Sequence, residues 1–150
     1  MTNENLKSTT QVKDNIFDTK YLVDMLELLN NTDFKKHNTN FTLVEMYVKM
    51  YEYLEEVFKL KRPTILNSIN VNLQFKGMNG SYHKDYGTKA ILFMIGEEAK
   101  GGQFIIKKNN KEEKITFKNG RIVCFDPTAE HRGLAFTDPY KPRYTVQFLF

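Results

Sequence analysis

The stretch GTKAILFMIGEEAKGGQFIIKKNNKEEKITFKNGRIVCF, residues 87–125, decides the fold. Short runs of β-branched and aromatic residues alternate in it with glycine, asparagine and charged residues, a pattern typical of strands joined by tight turns. The same pattern begins near Ile65 and continues to Phe150. It predicts eight strands, over residues 69–76, 82–85, 89–95, 102–107, 113–117, 121–125, 131–135 and 144–150.

Helical patterns occupy the part of the sequence before these strands. Apolar residues recur at helical spacing over residues 17–30, with Asp18 as the predicted N-cap. Thr42 and Glu45 form a capping box, which predicts a second helix that Pro63 ends. We therefore expect an α+β, mainly β fold: a double-stranded β-helix (jelly roll) with the N-terminal helices packed on one sheet.

The length of 150 residues suffices for one domain with its own core. We expect a disordered lead-in over residues 1–15 and a single domain over 16–150, with a helical part over 16–62 and a jelly-roll core over 63–150. The one cysteine excludes an internal disulfide and is typical of a reducing compartment. Neither a membrane span nor a signal peptide is evident. We therefore expect no membrane association and a cytoplasmic protein, or one of the host cytoplasm if its source is viral; the oligomeric state stays open.

The net charge of +4 permits an acidic partner without requiring one. Much of the excess comes from four lysines within residues 107–114, a segment that also contains Glu112 and Glu113. A nucleic-acid-binding surface needs charge of one sign. The mixed signs therefore favour a solvated hairpin over a phosphate-binding patch.

Four residues, His83, Asp85, His131 and Arg143, carry the chemistry that the sequence offers. Residues two apart on a strand point to the same face, so His83 and Asp85 can be directed into one opening. Two imidazoles and one carboxylate form the ligand set that holds Fe(II) with open coordination positions. Arg143 is a planar donor that can grip a carboxylate with two hydrogen bonds. A structural interpretation remains open for each, such as a turn at Asp85 or an ordinary strand-end histidine at His131.

The sequence from about Asn70 to Phe150 resembles the Fe(II)- and 2-oxoglutarate-dependent dioxygenase superfamily, in the branch that contains prolyl 4-hydroxylase-like oxygenases and nucleic-acid demethylases. The helical part is similar only in general architecture. The motifs that carry the resemblance occur in the family's order, namely His83-x-Asp85, Gly101-Gly102-Gln103-Phe104, Asn119-Gly120-Arg121, His131-Arg132 and Arg143-Tyr144-Thr145.

The resemblance implies a role for each matching position. It assigns Fe(II) to three ligands, His83, Asp85 and His131. Arg143 would pair with the distal carboxylate of 2-oxoglutarate, the co-substrate, and Thr145 would add a hydroxyl donor. Asn72 is a further co-substrate candidate, because the nucleic-acid demethylases have a similarly placed asparagine. No catalytic residue is expected beyond the metal site, and ascorbate is expected as a supporting reductant.

Two departures from the family patterns leave the substrate open. Some prolyl hydroxylases carry a co-substrate-binding tyrosine on the strand after the His-x-Asp motif, whereas residues 91–95 here have no hydroxyl group. The nucleic-acid demethylases have a second arginine where this sequence has Leu149. We expect hydroxylation of a C–H bond of a protein or peptide side chain, with release of succinate and CO2, in preference to oxidative demethylation of nucleic acid. A metal-binding jelly-roll protein without catalysis is the alternative from another class.

Overall fold

The structure, a computed structural model, describes residues 10–30 and 66–150. Within these ranges the chain forms one helix and eight strands. In chain order they are β1 (Gln11–Lys13), α1 (Thr19–Asn30), β2 (Ser68–Gln74), β3 (Ala90–Ile95), β4 (Phe104–Lys108), β5 (Lys111–Ile115), β6 (Ile122–Phe125), β7 (His131–Gly133) and β8 (Arg143–Leu149). The second predicted helix, which begins near Thr42, lies outside the described residues, as does the lead-in over residues 1–9.

The strands form two antiparallel sheets, one with the order β1-β6-β3-β8-β2 and a smaller one with the order β5-β4-β7. A single bridge between His83 and His131 extends the smaller sheet beyond β7. The predicted strand over 82–85 is reduced to this one paired residue, because the Asp85 N–H donates to the Pro127 carbonyl (2.8 Å) and leaves the pairing with β7. The other predicted strands are present, with ends shifted by at most two residues.

The larger sheet is covered on both faces, which explains the unbroken apolar run of β3. One core cluster lies between this sheet and α1 and includes Ile91, Phe93 and Ile95 of β3 and Met25 and Leu29 of α1. The other core cluster lies between the two sheets and includes Ala90, Leu92 and Met94 of β3 and Phe104 and Ile106 of β4. Alternate residues of one strand therefore face two separate cores.

The predicted N-cap of α1 is present, since the Tyr21 N–H donates to Oδ1 of Asp18 (2.8 Å). The helix packs on the larger sheet through Met25 and Leu29. In the described ranges, no helix combines the length and the apolar character that crossing a membrane requires.

β8 alternates between the same two cores, and its alternation places three polar side chains in the interior. Tyr144, Val146 and Phe148 belong to the core on the helix side. The residues at the alternate positions of β8 point to the space between the sheets, because successive strand residues face opposite ways. These residues are buried, and they are Arg143, Thr145 and Gln147.

β1 lies within the segment that was expected to be a disordered lead-in. Gln11–Lys13 pair with β6. Just beyond them, Oδ1 and Oδ2 of Asp14 accept hydrogen bonds from Nε and Nη2 of Arg121 (2.7 and 2.8 Å). The lead-in therefore does not extend through residue 15. Residues 11–14 are held at the sheet by an ion pair with a residue 107 positions further along the chain, and the local sequence does not reveal this pair.

The charged hairpin of β4 and β5 carries both signs on its surface. Asn109 and Asn110 form its turn with positive φ angles of 49° and 62°, as a two-residue type I′ turn requires. Three of its four lysines lie near glutamates, with N–O distances of 3.9, 3.7 and 3.8 Å in the pairs Lys107–Glu130, Lys108–Glu113 and Lys114–Glu112. This arrangement agrees with the solvated hairpin that the sequence favours.

Asp14→Asn should lower the free energy of unfolding by about 1 kcal/mol at neutral pH, because it breaks a bidentate ion pair that is partly buried. The hydrogen bond from Arg121 holds the pKa of Asp14 below its usual value of 3.8. A carboxyl group with a lowered pKa stabilises the folded state above the unfolded-state pKa, and this contribution is lost as the pH falls through the folded-state pKa. Urea midpoints of wild type and variant should therefore differ at neutral pH and converge well below pH 3.8.

The matched control for this measurement is Asp24→Asn, which removes the exposed Lys20–Asp24 pair of α1 (2.6 Å). Exposed pairs of this kind contribute little to stability, so its urea midpoint should equal that of the wild type. An unchanged midpoint for Asp14→Asn at neutral pH would show that the pair with Arg121 does not hold β1 in the sheet.

Candidate metal and anion site

His83 and His131 lie directly opposite each other in an antiparallel bridge. The N–H of His83 donates to the His131 carbonyl (3.1 Å), and the N–H of His131 donates to the His83 carbonyl (2.9 Å). Opposite residues of an antiparallel pair extend their side chains to the same face. The two imidazoles therefore meet, with ring centroids 4.5 Å apart.

Both imidazoles are oriented by backbone carbonyls. Nδ1 of His83 lies 3.0 Å from the Ser81 carbonyl oxygen, and Nδ1 of His131 lies 2.7 Å from the Ala129 carbonyl oxygen. Because a carbonyl oxygen only accepts, Nδ1 of each ring is the donor, and Nε2 keeps its lone pair in the neutral ring. Hydrogen bonds of this kind orient metal-binding histidines.

Asp85 completes a cluster of three ligand groups. Its Oδ2 lies 3.2 Å from Nε2 of His131 and 3.9 Å from Nε2 of His83. One ligand atom from each of the three residues lies within 4.8 Å of the others. Lone-pair-bearing atoms at such distances repel one another unless a proton or a metal cation lies between them. The donor set and its spacing therefore fit a divalent transition metal such as Fe(II).

The cluster is closed on one side and open on the other. The His131 side chain is 2% exposed, and its ring packs against those of Phe104 and Phe125, with centroid distances of 5.7 and 4.9 Å. The side chains of His83 and Asp85 are 50% and 24% exposed. A metal bound here would be backed by the core between the sheets and would be reachable from solvent on the His83 side.

Arg143, the first residue of β8, is buried without a counter-charge among the described residues. Its Nε donates to the Gly102 carbonyl (2.9 Å), and its Nη1 donates to Oε1 of Gln74 (2.7 Å). Its Nη2 is a buried donor with no partner in the described ranges. Burial lowers the pKa of Arg143 to about 10, so the guanidinium remains charged at neutral pH. A buried cation with an unused donor fits an anionic ligand such as a carboxylate.

Two glycines make room for this arginine. A Cβ atom at Gly133 would lie 3.0 Å from Nη1 of Arg143 and 3.3 Å from Oε1 of Gln74. Gly102 has a φ of +72°, and a Cβ atom there would overlap the ring of Phe136. Glycine at this position therefore allows the backbone conformation in which the Gly102 carbonyl accepts from Arg143 while Phe136 packs against it.

The two other predicted co-substrate residues lie next to Arg143 in the larger sheet. Thr145 follows Arg143 on the same face of β8 and is 1% exposed. Asn72 lies directly opposite Thr145 in the pairing of β2 with β8, so its side chain points to the same face. Asn72 is exposed, however, because β2 is the edge strand of the larger sheet.

Two glutamines of this region were not among the predicted site residues. Gln74 lies opposite Arg143, and its Nε2 donates to two backbone carbonyls (2.8 and 3.1 Å), which directs Oε1 toward the guanidinium. Gln147 donates from Nε2 to Oδ2 of Asp85 (3.0 Å). The alternation of residues along β8 could have predicted Gln147 as a site residue, since it lies on the same face as Arg143 and Thr145.

No protein-family model matches the sequence, and no curated protein matches it. Solved structures do match. An oxidoreductase of the 2OG-Fe(II) oxygenase family from Burkholderia pseudomallei is 12% identical with a TM-score of 0.74, over 93% of this chain and 82% of that one. HygX from Streptomyces hygroscopicus, with nickel and 2-oxoglutarate bound, is 10% identical with a TM-score of 0.67, over 99% and 85%. A prolyl hydroxylase from Trichoplax adhaerens, in complex with a hypoxia inducible factor oxygen degradation domain peptide fragment, is 14% identical with a TM-score of 0.67, over 98% and 85%.

The chain therefore has the fold of the 2OG-Fe(II) oxygenases and prolyl hydroxylases. The predicted resemblance and the predicted jelly roll are confirmed at the level of the fold. In this fold the described residues contain both a cluster of two histidines and an aspartate and a buried arginine that no described residue neutralises.

Asp85→Asn should weaken the binding of Mn(II) or Co(II) by more than roughly tenfold, because it removes the only anionic group of the cluster. Titration calorimetry at neutral pH measures the affinity. Glu130→Gln is the matched control, since it neutralises a carboxylate next to His131 that lies near Lys107 instead (3.9 Å). Equal metal affinity of Asp85→Asn and wild type would contradict the assignment of the cluster as a metal site.

Proposed function

We propose that the protein is an Fe(II)- and 2-oxoglutarate-dependent dioxygenase that hydroxylates a C–H bond of a protein or peptide side chain. The observation that carries the proposal is the combination of the three-residue cluster with the buried, unpaired Nη2 of Arg143. Gln147 contacts Asp85 from β8, and Arg143 lies four residues earlier on the same face. At the usual rise of a strand, four residues span about 13 Å, a distance that side chains and a small dicarboxylate can bridge.

His83, Asp85 and His131 would hold Fe(II) and leave coordination positions open for the reactants. With both groups bound, iron and 2-oxoglutarate supply the oxidising chemistry: one oxygen atom of O2 enters the substrate C–H bond, and the other enters the succinate that forms as 2-oxoglutarate loses CO2. The protein orients the ligands through the Ser81 and Ala129 carbonyls. The apolar wall behind His131 excludes water from that side of the metal.

Arg143 would bind the distal carboxylate of 2-oxoglutarate. The guanidinium has lost its water to burial, so a carboxylate at Nη2 would supply both a hydrogen bond and the missing counter-charge. Thr145, the next residue on the same face of β8, would add a hydroxyl donor. Asn72, at the open edge of the sheet, could reach the co-substrate only from the solvent side.

A substrate presented on a protein or peptide suits the open side of the cluster. His83 is half exposed, and Tyr86, just beyond Asp85, is 95% exposed, so a side chain that projects from another molecule can approach the metal. The Trichoplax adhaerens neighbour was solved with a peptide fragment. Against nucleic acid, three of the four lysines of the β4–β5 hairpin lie near glutamates, and Leu149 packs in the core between the sheets.

The alternative that is not an enzyme, a metal-binding jelly roll without catalysis, does not explain why Arg143 is buried. A buried guanidinium that lacks a counter-charge destabilises the folded state. This loss of stability is expected where the guanidinium binds an anion, whereas binding a metal does not require a buried guanidinium.

Gln74→Glu should weaken 2-oxoglutarate binding by roughly 10–100-fold, because the new carboxylate would neutralise Arg143 and compete with the co-substrate. Calorimetry in the presence of Mn(II) and without oxygen measures the affinity, and metal binding should be unchanged. Gln11→Glu adds the same charge on β1, at the opposite edge of the sheet, and is the matched control. If Gln74→Glu bound 2-oxoglutarate like the wild type, Arg143 would not be the carboxylate anchor.

The activity itself is tested by incubation with Fe(II), ascorbate and 2-oxoglutarate, with succinate as the measured product. Wild type should form succinate only with metal, and His131→Ala should form none above background, since it lacks a ligand. Peptide pools should gain the mass of one oxygen, whereas loss of a methyl group from methylated oligonucleotides would select the demethylase alternative. If no pool led to succinate and the protein did not bind 2-oxoglutarate, the oxygenase proposal would be wrong.

A further inference from the structure

A glutamine from the interior strand β8 contacts the carboxylate of the candidate metal ligand. Nε2 of Gln147 lies 3.0 Å from Oδ2 of Asp85. The same oxygen lies 3.2 Å from Nε2 of His131 and 3.9 Å from Nε2 of His83. Because a carboxylate oxygen only accepts, the amide nitrogen must face it and donate. Gln147 thus donates a hydrogen bond to the carboxylate oxygen that faces the two imidazoles.

The two partners of this hydrogen bond differ in how firmly they are held. Asp85 lies in a segment without regular strand structure, fixed locally by the hydrogen bond from its N–H to the Pro127 carbonyl, and its side chain is 24% exposed. Gln147 is 7% exposed and lies on β8, which pairs with β2 on one side and β3 on the other. The strand is therefore the rigid partner, and the carboxylate is the group whose rotation it can restrict.

An amide is chemically suited to this task. Lysine or arginine at the same place would donate a hydrogen bond but would also compete with a metal for the negative charge of Asp85. An amide donates without carrying charge, so the full negative charge remains available to a cation. Hydrogen bonds to a ligating carboxylate commonly tune metal affinity.

We propose that Gln147 is a positioning residue that fixes the rotation of the Asp85 carboxylate so that Oδ2 faces both imidazoles. The inference rests on the proposed function, since it assumes that the cluster binds a metal. Its consequence is that β8 sets the geometry of both halves of the site: Arg143 anchors an anion at one end, and Gln147 orients a metal ligand four residues further along.

The test is the affinity for Co(II) and the visible ligand-field spectrum of the bound ion, measured for wild type, Gln147→Leu and Gln147→Glu. Gln147→Leu removes the donor at similar volume and should weaken Co(II) binding by roughly 10–100-fold. Gln147→Glu replaces the donor by a second carboxylate and should strengthen Co(II) binding, because an added negative charge attracts a divalent cation. Both spectra should differ from that of the wild type.

The two variants should change the Co(II) affinity in opposite directions, and this difference distinguishes a positioning role from a structural one. A residue that only supports the fold would lower metal affinity in both variants and would leave the spectrum of the bound fraction unchanged. Asn70→Leu is the matched control: Asn70 is an exposed amide directly opposite Gln147 on β2, and its removal should change neither affinity nor spectrum. If Gln147→Leu does not fold, the spectrum of Co(II) bound to Gln147→Glu decides.

Two results overturn the inference: wild-type affinity and spectrum in Gln147→Leu, or a wild-type spectrum of the Co(II) bound to Gln147→Glu. The failure of the proposed function looks different. If the wild type binds Co(II) but neither binds 2-oxoglutarate nor forms succinate, the proposed function is wrong and the variants still decide the role of Gln147. If the wild type does not bind Co(II), the metal site and the inference are both wrong. If the wild type binds the metal and the Gln147 variants behave like it, the metal site stands and only the role of Gln147 is wrong.

Discussion

The charge of Arg143, which no described residue neutralises, is the constraint on which the candidate site depends. Its guanidinium lies between two sheets, and the partners that the described residues offer are neutral: the Gln74 amide and the Gly102 carbonyl. Neutral acceptors satisfy hydrogen bonds, but they do not balance a buried charge. β8 is covered on both faces, so the side chain cannot turn to solvent without leaving the core. An anion bound at this residue would therefore also stabilise the fold.

Antiparallel pairing builds the metal half of the site from segments that are distant in the chain. The bridge between His83 and His131 brings the imidazoles to one face, and backbone carbonyls hold Nδ1 of each ring, so that each Nε2 faces Asp85. Asp85 joins them after its segment turns away from β7 toward Pro127. The hydrogen bond from Gln147 then links this cluster to the strand that carries Arg143. The two halves are thus connected through one buried strand.

Local patterns in the sequence account for most of the fold and for part of the site. Apolar runs between glycines predict the strands, and Asp18 before a helical pattern predicts the start of α1. The Asp14–Arg121 pair, by contrast, joins residues far apart in the chain, so a segment that reads as a polar lead-in becomes part of the sheet. Gln74 was missed because its role depends on the register between β2 and β8, which a single strand pattern does not determine.

The exposure of Asn72 depends in the same way on β2 being the edge strand. In the proposed site, one small dicarboxylate binds at two points, Arg143 and the metal. Calorimetric titration of 2-oxoglutarate and of glutarate, each with and without Mn(II), tests it most directly, since glutarate keeps both carboxylates but lacks the keto oxygen. Two-point binding predicts that Mn(II) strengthens binding of 2-oxoglutarate by at least roughly tenfold and strengthens binding of glutarate much less. If 2-oxoglutarate bound equally well with and without the metal, or did not bind at all, the two halves would not form one site.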